Sequence, residues 1–460
     1  MARVTRPTVA AVDVGTSRIK AILYSGEEDR ILARADLSSG ECRVPGLPPG
    51  WSEIDPLQVV RQVRGALDEI LSQTCDPAKI AALALTGCMH GVLFVSEDGQ
   101  PLSNLVDWRD RRVHDAQSKL GTSVLDHFLR LHGSTYKALN TGCRPCAGYG
   151  ASTLYWFDVT GALPREPAYL CTLMDFVAGG LTGGVPVTDY TLGASTGLLD
   201  VVRREWVRSL VEALGGKRIK LPRLVAAGTP IGSWQGLPVL APVGDHAASV
   251  YAVLGEDPER AHINIGTGSQ VAVCTSEPCF DDRLESRPGL TGGYLLVAAG
   301  SVGGRTLDIW RGMMAGLLGA AEPVAPSYLW AAARRIQAGC DGLQMRPLFQ
   351  GTRCDPSIRC SIEGISPENF TPGHLARACL EGVVHEWAAR LSDLSQRTNR
   401  DYPAVLVTGD LPLLEAGFQE IVRDELGRQV TVVRGGEVSA LGAARHAVTV
   451  LASSHPTILK

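Results

Sequence analysis

An α/β protein built from two like domains is the fold this sequence predicts, and three observations predict it. The stretch VAAVDVGTSRIKAILYSG near the N-terminus has a counterpart, AHINIGTGSQVAVCTS, beginning at residue 261. Each runs an apolar strand into Asp13 or Asn264, then Gly15-Thr16 or Gly266-Thr267, then a small polar residue and a second alternating strand. Each is followed by a helical pattern and a further apolar strand. A repeat of so long a period marks two copies of one supersecondary unit.

Taken in order, the first half opens with strand-like stretches at 8–14, 18–24 and 31–37. A helix follows, with Asp55 as its cap, Pro56 at its first position and Val60, Val63, Leu67, Ile70 and Leu71 along one face. AALALTG (81–87) reads as a buried strand. Three strands, a helix and another strand is the opening of an RNase-H-like unit. The second half repeats it, with strands at 262–266, 270–274 and near 294–299. A long helix then starts at Thr371-Pro372, with Leu375, Cys379, Val383, Trp387, Leu391 and Leu394 at helical spacing. Strand 404–409, a helix, strand 430–433 and helix 438–451 close the unit. Residues 100–235 fit neither copy and read as an insertion on the first domain, so the domains are expected to span 1–257 and 258–460, joined at GEDPER. They are expected to face each other across a cleft.

With 460 residues the chain has room for two or three domains. Its net charge of -4 is well mixed, and the arginines of 109–112 and 334–335 are too short a run for a nucleic-acid binder. No charged-then-apolar leader and no apolar run of transmembrane length is seen, so a soluble cytoplasmic protein, away from membranes, is expected. Twelve cysteines scattered among apolar positions read as reduced thiols. Cys143 and Cys146 form one CxxC, without the further ligands zinc needs or the context of a redox site, and read as loop cysteines. There is no GxxxxGK[ST], no GxGxxG after a strand and no Gly-x-Ser-x-Gly elbow.

The chemistry gathers in a few stretches. DVGTS reads equally as a plain hairpin, its Gly15 supplying positive φ, or as half of an anion site. Two Gly-Thr tips facing each other would converge amides and hydroxyls on a phosphate. Asp13, with neutral Asn264 as its counterpart, suits one Mg²⁺, a hard cation that keeps its waters. GDHAASVYAVL starts a helix at Asp245, which reads as an N-cap or as a base accepting the proton of a hydroxyl that attacks a γ-phosphate. At the ordinary Asp pKa near 3.9 it would be a weak base with late proton transfer. Met89-His90-Gly91 lies where a strand leaves the sheet. In NLVDWRDRR, Trp108 offers an apolar plate and Asp110 a carboxylate for vicinal hydroxyls.

Together these stretches resemble the FGGY carbohydrate kinases of the actin-like ATPase superfamily, over nearly the whole chain. DVGTS and IGTGS look like the family's two phosphate motifs, MHG and WRDRR its sugar motifs, and GDHAA its base motif. GSVGG and VTGDLPLL stand where the family holds its nucleotide, and SALGAARHA resembles its closing helix. The resemblance implies ATP with Mg²⁺ at Asp13, and Thr16, Ser17, Gly266, Thr267, Gly303, Gly304 and Gly409 around the nucleotide. It implies Met89, His90, Trp108, Asp110 and Asp245 around the sugar, with Asp245 the base. Thr153 stands where a Lys is frequent, which points away from the glycerol and xylulose branches, and the glycerol branch is further disfavoured by the charged pair it carries where Met89-His90 stand. CMHGVLF, SNLVDWRDRR, GYGASTLYW and GDHAASVYAVL look most like the branch that phosphorylates sedoheptulose to its 7-phosphate. Xylulo-, ribulo- or gluconokinase activity is the alternative, and a catalytically silent actin-like nucleotide switch the rival of another class. Sugar and ATP are the partners implied, with a monomer or homodimer expected.

Overall fold

The computed structural model describes residues 6–453 apart from 75–78, 118, 267, 321, 350, 353–356 and 410–415. Two compact units emerge, Met1–Gly255 with Ser286–Tyr294 and Glu437–Lys460, and Glu256–Glu285 with Leu295–Gly436. The expected single cut at 257/258 therefore needs two amendments, since Ser286–Tyr294 and the closing helix pack with the first unit.

The sheet of the first unit has the order Pro230–Trp234, Leu237–Leu240, Ile80–Gly87, Thr8–Val14, Arg18–Ser25, Arg30–Ser38, with the short Val243–Gly244 also paired to Ile80–Gly87. Both faces are covered, so alternate residues of one strand enter different cores. Ala10, Val12 and Val14 pack under the helices Pro56–Ser72 and Leu173–Thr182, while Val9 and Ala11 pack under Asp245–Leu254 and Val438–Ser453. Asp55 caps the first of these helices by accepting from Leu57 and Gln58 N–H, with Pro56 in its first turn. The last two helices touch closely, because a Cβ on Gly442 would meet the Ala248 carbonyl at 1.8 Å.

The expected insertion has different limits. Its small sheet already includes Leu93–Ser96, paired antiparallel to Ala168–Cys171, and Pro230–Trp234 has returned to the main sheet. Phe94, Phe128, Trp156 and Leu210 give it a core of its own.

In the second unit Tyr294–Ser301, Ser269–Thr275, Arg260–Ile265, Ala404–Gly409 and Gln429–Val432 lie side by side in that order. The helix Pro372–Thr398, capped by Thr371, places Val383, Trp387, Leu391 and Leu394 in the core beneath them. The sequence repeat is a repeat in register. Asp13 lies opposite Lys20 on one side and Thr86 on the other, as Asn264 does opposite Gln270 and Thr408.

Candidate active site

In the first unit three strands run parallel and end level. Asp13 and Val243 both pair with Thr86, and Val14 and Gly244 with Gly87. Their carboxyl ends deliver the Gly15-Thr16-Ser17 turn, the Met89-His90-Gly91 loop and the helix starting at Asp245, the place where open α/β sheets bind ligands. Burial, with the Asp245 charge next, pushes the Asp13 carboxyl up to about 7 against the opposing effect of Lys20. Asp13 Oδ1 is buried without a hydrogen-bond partner. Burial likewise raises Asp245 to about 6, against the His246 N–H and Arg287. The two carboxylates thus share one neighbourhood.

Two local expectations change. Gly244, in extended backbone, is the N-cap, and Asp245 is the first helical residue, its Oδ1 accepting from His246 N–H at 2.7 Å. Asp245 is not the cap, and its raised pKa makes it a stronger base than an ordinary Asp. Gly15 is not among the positive-φ residues. It is required by close approach, since a Cβ there would meet the Arg18 carbonyl at 3.0 Å. Next to it Thr16 is half-buried and Ser17 exposed.

The two sugar-type motifs are joined by backbone. Val92 and Val106 exchange N–H···O bonds of 3.1 and 3.0 Å, and Gly91 lies so close that a Cβ would meet Val106 O at 2.6 Å. Met89 is buried with its sulfur against Gly244, where a Cβ would meet it at 2.8 Å. His90 sits at φ +75°, a left-handed conformation that costs a non-glycine residue of order 1–3 kcal/mol. It is held there by Ser195 and by stacking on Tyr149, ring centroids 4.1 Å apart. Trp108 is half-buried, its backbone against Gly148, where a Cβ would meet the Trp108 carbonyl at 2.1 Å.

Asp110 is corrected. It is 1% exposed, and its oxygens accept from Arg112 N, Nε and Nη2 at 2.9 Å each and from Ser52 N at 2.7 Å. A carboxylate has about four lone-pair sites, so none is left for a sugar hydroxyl. Arg112 in turn reaches Glu53 at 2.7 Å and lies over Trp51 and Trp156, 4.0 and 4.8 Å from the ring centroids. Asp110 pins this loop and presents no lone pair to a ligand. Cys143 and Cys146 lie in the half-buried loop leading to Tyr149, with Tyr136 Oη 3.5 Å from Cys143 Sγ and Cys146 O accepting from Ser152 Oγ.

In the second unit the glycines converge. Gly266 N–H donates to Gly268 O and Gly266 O accepts from Gly304 N–H, both at 2.8 Å. A Cβ on Gly303 would lie 2.4 Å from the Gly268 carbonyl, so the helix Gly304–Leu317 starts against the hairpin tip. Gly409, at φ +117°, has no room either, as a Cβ would meet Ile265 O at 1.8 Å. Thr267 lies outside the described residues, as does Asp410 beside Gly409.

Sequence reasoning missed several residues beneath these loops. Ser269 Oγ donates to Val302 O at 2.5 Å and accepts from Trp387 Nε1 at 2.7 Å, tying hairpin, helix start and core together. Buried His262 contacts Thr408 Oγ1 at 2.7 Å, and Thr408 donates to Asn264 Oδ1 at 3.3 Å. Ser195 and Thr191 do comparable work in the first unit. Each looks in sequence like an ordinary core or turn residue, and only the long-range pairing distinguishes it.

Residues 8–238 match the N-terminal domain and 261–451 the C-terminal domain of the FGGY family of carbohydrate kinases. The chain belongs to that family. As an FGGY kinase it is a phosphotransferase enzyme. It is similar to the glycerol kinase of Aquifex aeolicus (strain VF5), 27% identical over 458 residues that cover 95% of this chain and 88% of that one. Among solved structures, a gluconate kinase from Lactobacillus acidophilus aligns with TM-score 0.85 at 21% identity, over 98% of this chain and 90% of that one. The Plasmodium falciparum glycerol kinase solved with ADP aligns with TM-score 0.82 at 18% identity, over 98% and 92%. These likenesses show that this FGGY kinase shares the two-domain α/β fold of those kinases. No helix among its described residues is long and apolar enough to cross a membrane.

Proposed function

We propose that this FGGY kinase transfers the γ-phosphoryl group of ATP to a hydroxyl of a ketose, with sedoheptulose, giving sedoheptulose 7-phosphate, as its foremost acceptor. The observation that carries the reading is the level ending of three strands that brings Asp13, Asp245 and the Met89-His90 loop to one edge. Asp245 takes the proton of the attacking hydroxyl, and its carboxyl at about 6 suits that role near neutral pH. Met89, His90 and the half-buried Trp108 face the sugar. Thr16 and Ser17 approach the phosphates, while Gly266, Gly303, Gly304 and Gly409 cradle the nucleotide through close backbone and a helix N-terminus, and Thr267 is assigned to the same group by its motif alone.

Asp13 fits the expected Mg²⁺. Its Oδ1 is buried and unpartnered, and Mg²⁺ is usually held by one or two carboxylates with phosphates and waters. Bound there, the ion neutralises charge on the transferring phosphates.

Glycerol is the second acceptor reading, favoured by the name of the Aquifex relative. Met89-His90 stand against it, because the glycerol branch carries a charged pair there. Coupled ADP-release assays with sedoheptulose, xylulose, ribulose, gluconate and glycerol test both. The ketose reading expects the highest kcat/KM with sedoheptulose. Turnover of glycerol alone would overturn it, and ATP binding without any acceptor turnover would favour the silent switch.

A further inference from the structure

A six-residue helix behind the site, Tyr190–Ser195, is buried along most of its length and joins two of the loops described above. Its N-cap Asp189 has Oδ1 accepting from Thr191 Oγ1 at 2.8 Å and Leu192 N at 2.9 Å, and Oδ2 accepting from Thr191 N at 3.0 Å. An ionised carboxylate only accepts, so the single Thr191 hydroxyl proton points at Asp189. The hydroxyl oxygen then has only lone pairs to offer, and it accepts from Gly244 N–H at 2.8 Å. Gly244 is the residue from which the Asp245 helix starts. One turn later Ser195 Oγ donates to Leu192 O at 2.7 Å and accepts from His90 N–H at 3.0 Å. Ser195 O lies 2.9 Å from His90 Nδ1, and because a carbonyl has no proton to give, Nδ1 is the donor.

We propose that Asp189–Ser195 is a positioning strut of the kinase, Thr191 holding the Gly244 corner that sets the Asp245 carboxylate and Ser195 holding His90. Four residues of helix, about 6 Å of rise, fix the spacing between the proton acceptor and the acceptor-binding loop. The hydrogen bonds from Gly244 through Thr191 run in one direction, because the ionised Asp189 carboxylate at their end can only accept. The roles of Asp245 and His90 rest on the reading given above.

Thr191→Val keeps the shape and removes the hydroxyl, whereas Thr191→Ser keeps the hydroxyl. At pH 8, with the acceptor the wild type prefers, Thr191→Val is expected to lower kcat by ~10- to 100-fold, as small misplacements of catalytic groups do. The KM for ATP stays near that of the wild type, and Thr191→Ser restores kcat to within about 2-fold, the hydroxyl being intact. Ser195→Ala is expected to raise the acceptor KM more than it lowers kcat. Hydrogen-exchange mass spectrometry of the wild type and Thr191→Val is expected to show faster exchange in the peptide containing Gly244. A folded Thr191→Val with wild-type kcat, or a Ser variant as impaired as Val, overturns the proposal. If Thr191→Val does not fold, Thr191→Ala replaces it. Ala also lacks the hydroxyl that accepts from Gly244 N–H, so wild-type kcat in that variant overturns the strut. If the wild type turns over no acceptor, the functional reading fails by itself. The exchange measurement then decides the strut, and unchanged exchange in Thr191→Val refutes it.

Discussion

The carboxyl of Asp245 lies in surroundings that make an acid reluctant to ionise, which would give it strength as a base in the reaction proposed above. A carboxyl held at about 6 is still ionised at neutral pH, yet it binds a proton more firmly than an ordinary Asp. As the proposed base Asp245 must be deprotonated to act, so kcat/KM is expected to fall as pH drops through about 6. Asp245→Asn removes the proton acceptor and should lower kcat by ~10²–10⁴-fold. Because Gly244 is the cap, the substitution removes no cap, and the Asn oxygen can still accept from His246 N–H. Thermal melting should therefore stay close to that of the wild type near pH 5, where the Asp245 carboxyl is largely protonated, and should not fall below it at higher pH, where only the wild type ionises. Full activity in Asp245→Asn, or an acid limb far from 6 in the wild type, would remove Asp245 from the reaction. Asp110 illustrates the converse. An acid in a sugar-like motif is spent on Arg112 and Ser52, which the residue type alone does not reveal.

At the scale of elements, the two Gly-Thr hairpins are the same device carried by different neighbours. In the second unit Gly303 lets the helix Gly304–Leu317 begin against the backbone of Gly268. A Cβ at 2.4 Å from a carbonyl cannot be absorbed by a side-chain rotation, so Gly303→Ala must move the helix start from the hairpin tip. The KM for ATP should rise about 10-fold or more, as displacement of a positioning group by a fraction of an ångström commonly costs. The acceptor KM should change little, and an unchanged ATP dependence would detach this corner from the nucleotide. These elements were legible because their signals are local. Asp55 and Pro56 start one helix, Thr371 and Pro372 another, and strand alternation matches two buried faces. What was not legible is set by partners far along the chain. The Thr191 hydroxyl meets Gly244, Ser195 meets His90, and the closing helix meets Asp245–Leu254 through Gly442 and Ala248. The limits of the insertion failed for the same reason, since Leu93–Ser96 is a plain apolar strand until its pairing with Ala168–Cys171 is known.

For the molecule as a whole, buried groups set how stability depends on pH. Burial raises Asp13 and Asp175 to about 7 and Asp189 and Asp245 to about 6, while it lowers His262 and His446 to about 4. A carboxyl raised on folding keeps its proton after the unfolded chain has lost it, so its contribution is full below about 4 and is lost as pH climbs to 6 or 7. The histidines act in the opposite sense, costing stability as pH falls from 6.5 towards 4, because the unfolded chain then takes up protons the buried rings refuse. Five raised carboxyls, Asp158 among them, outnumber four lowered histidines, His114 and His132 included, and above 6.5 the unfolded histidines are mostly deprotonated, so the carboxyls set the sign. Asp29 and Asp401, held below the usual range by the Tyr24 hydroxyl and by Arg428, act only under this window. Urea unfolding of the ligand-free protein should therefore show stability falling as pH rises from about 4 to about 7, then levelling. Asp13→Asn cannot ionise, so its curve should be flatter and should lie above that of the wild type beyond pH 7. In the proposed site Mg²⁺ with nucleotide would need ionised Asp13, and it should then raise the wild-type melting point more at pH 8 than at pH 6, with the difference absent in Asp13→Asn. A wild-type curve that rises across this window would mean that the strand-end carboxyls are hydrated in solution. An equal Mg²⁺ effect in Asp13→Asn would move the cation to other residues.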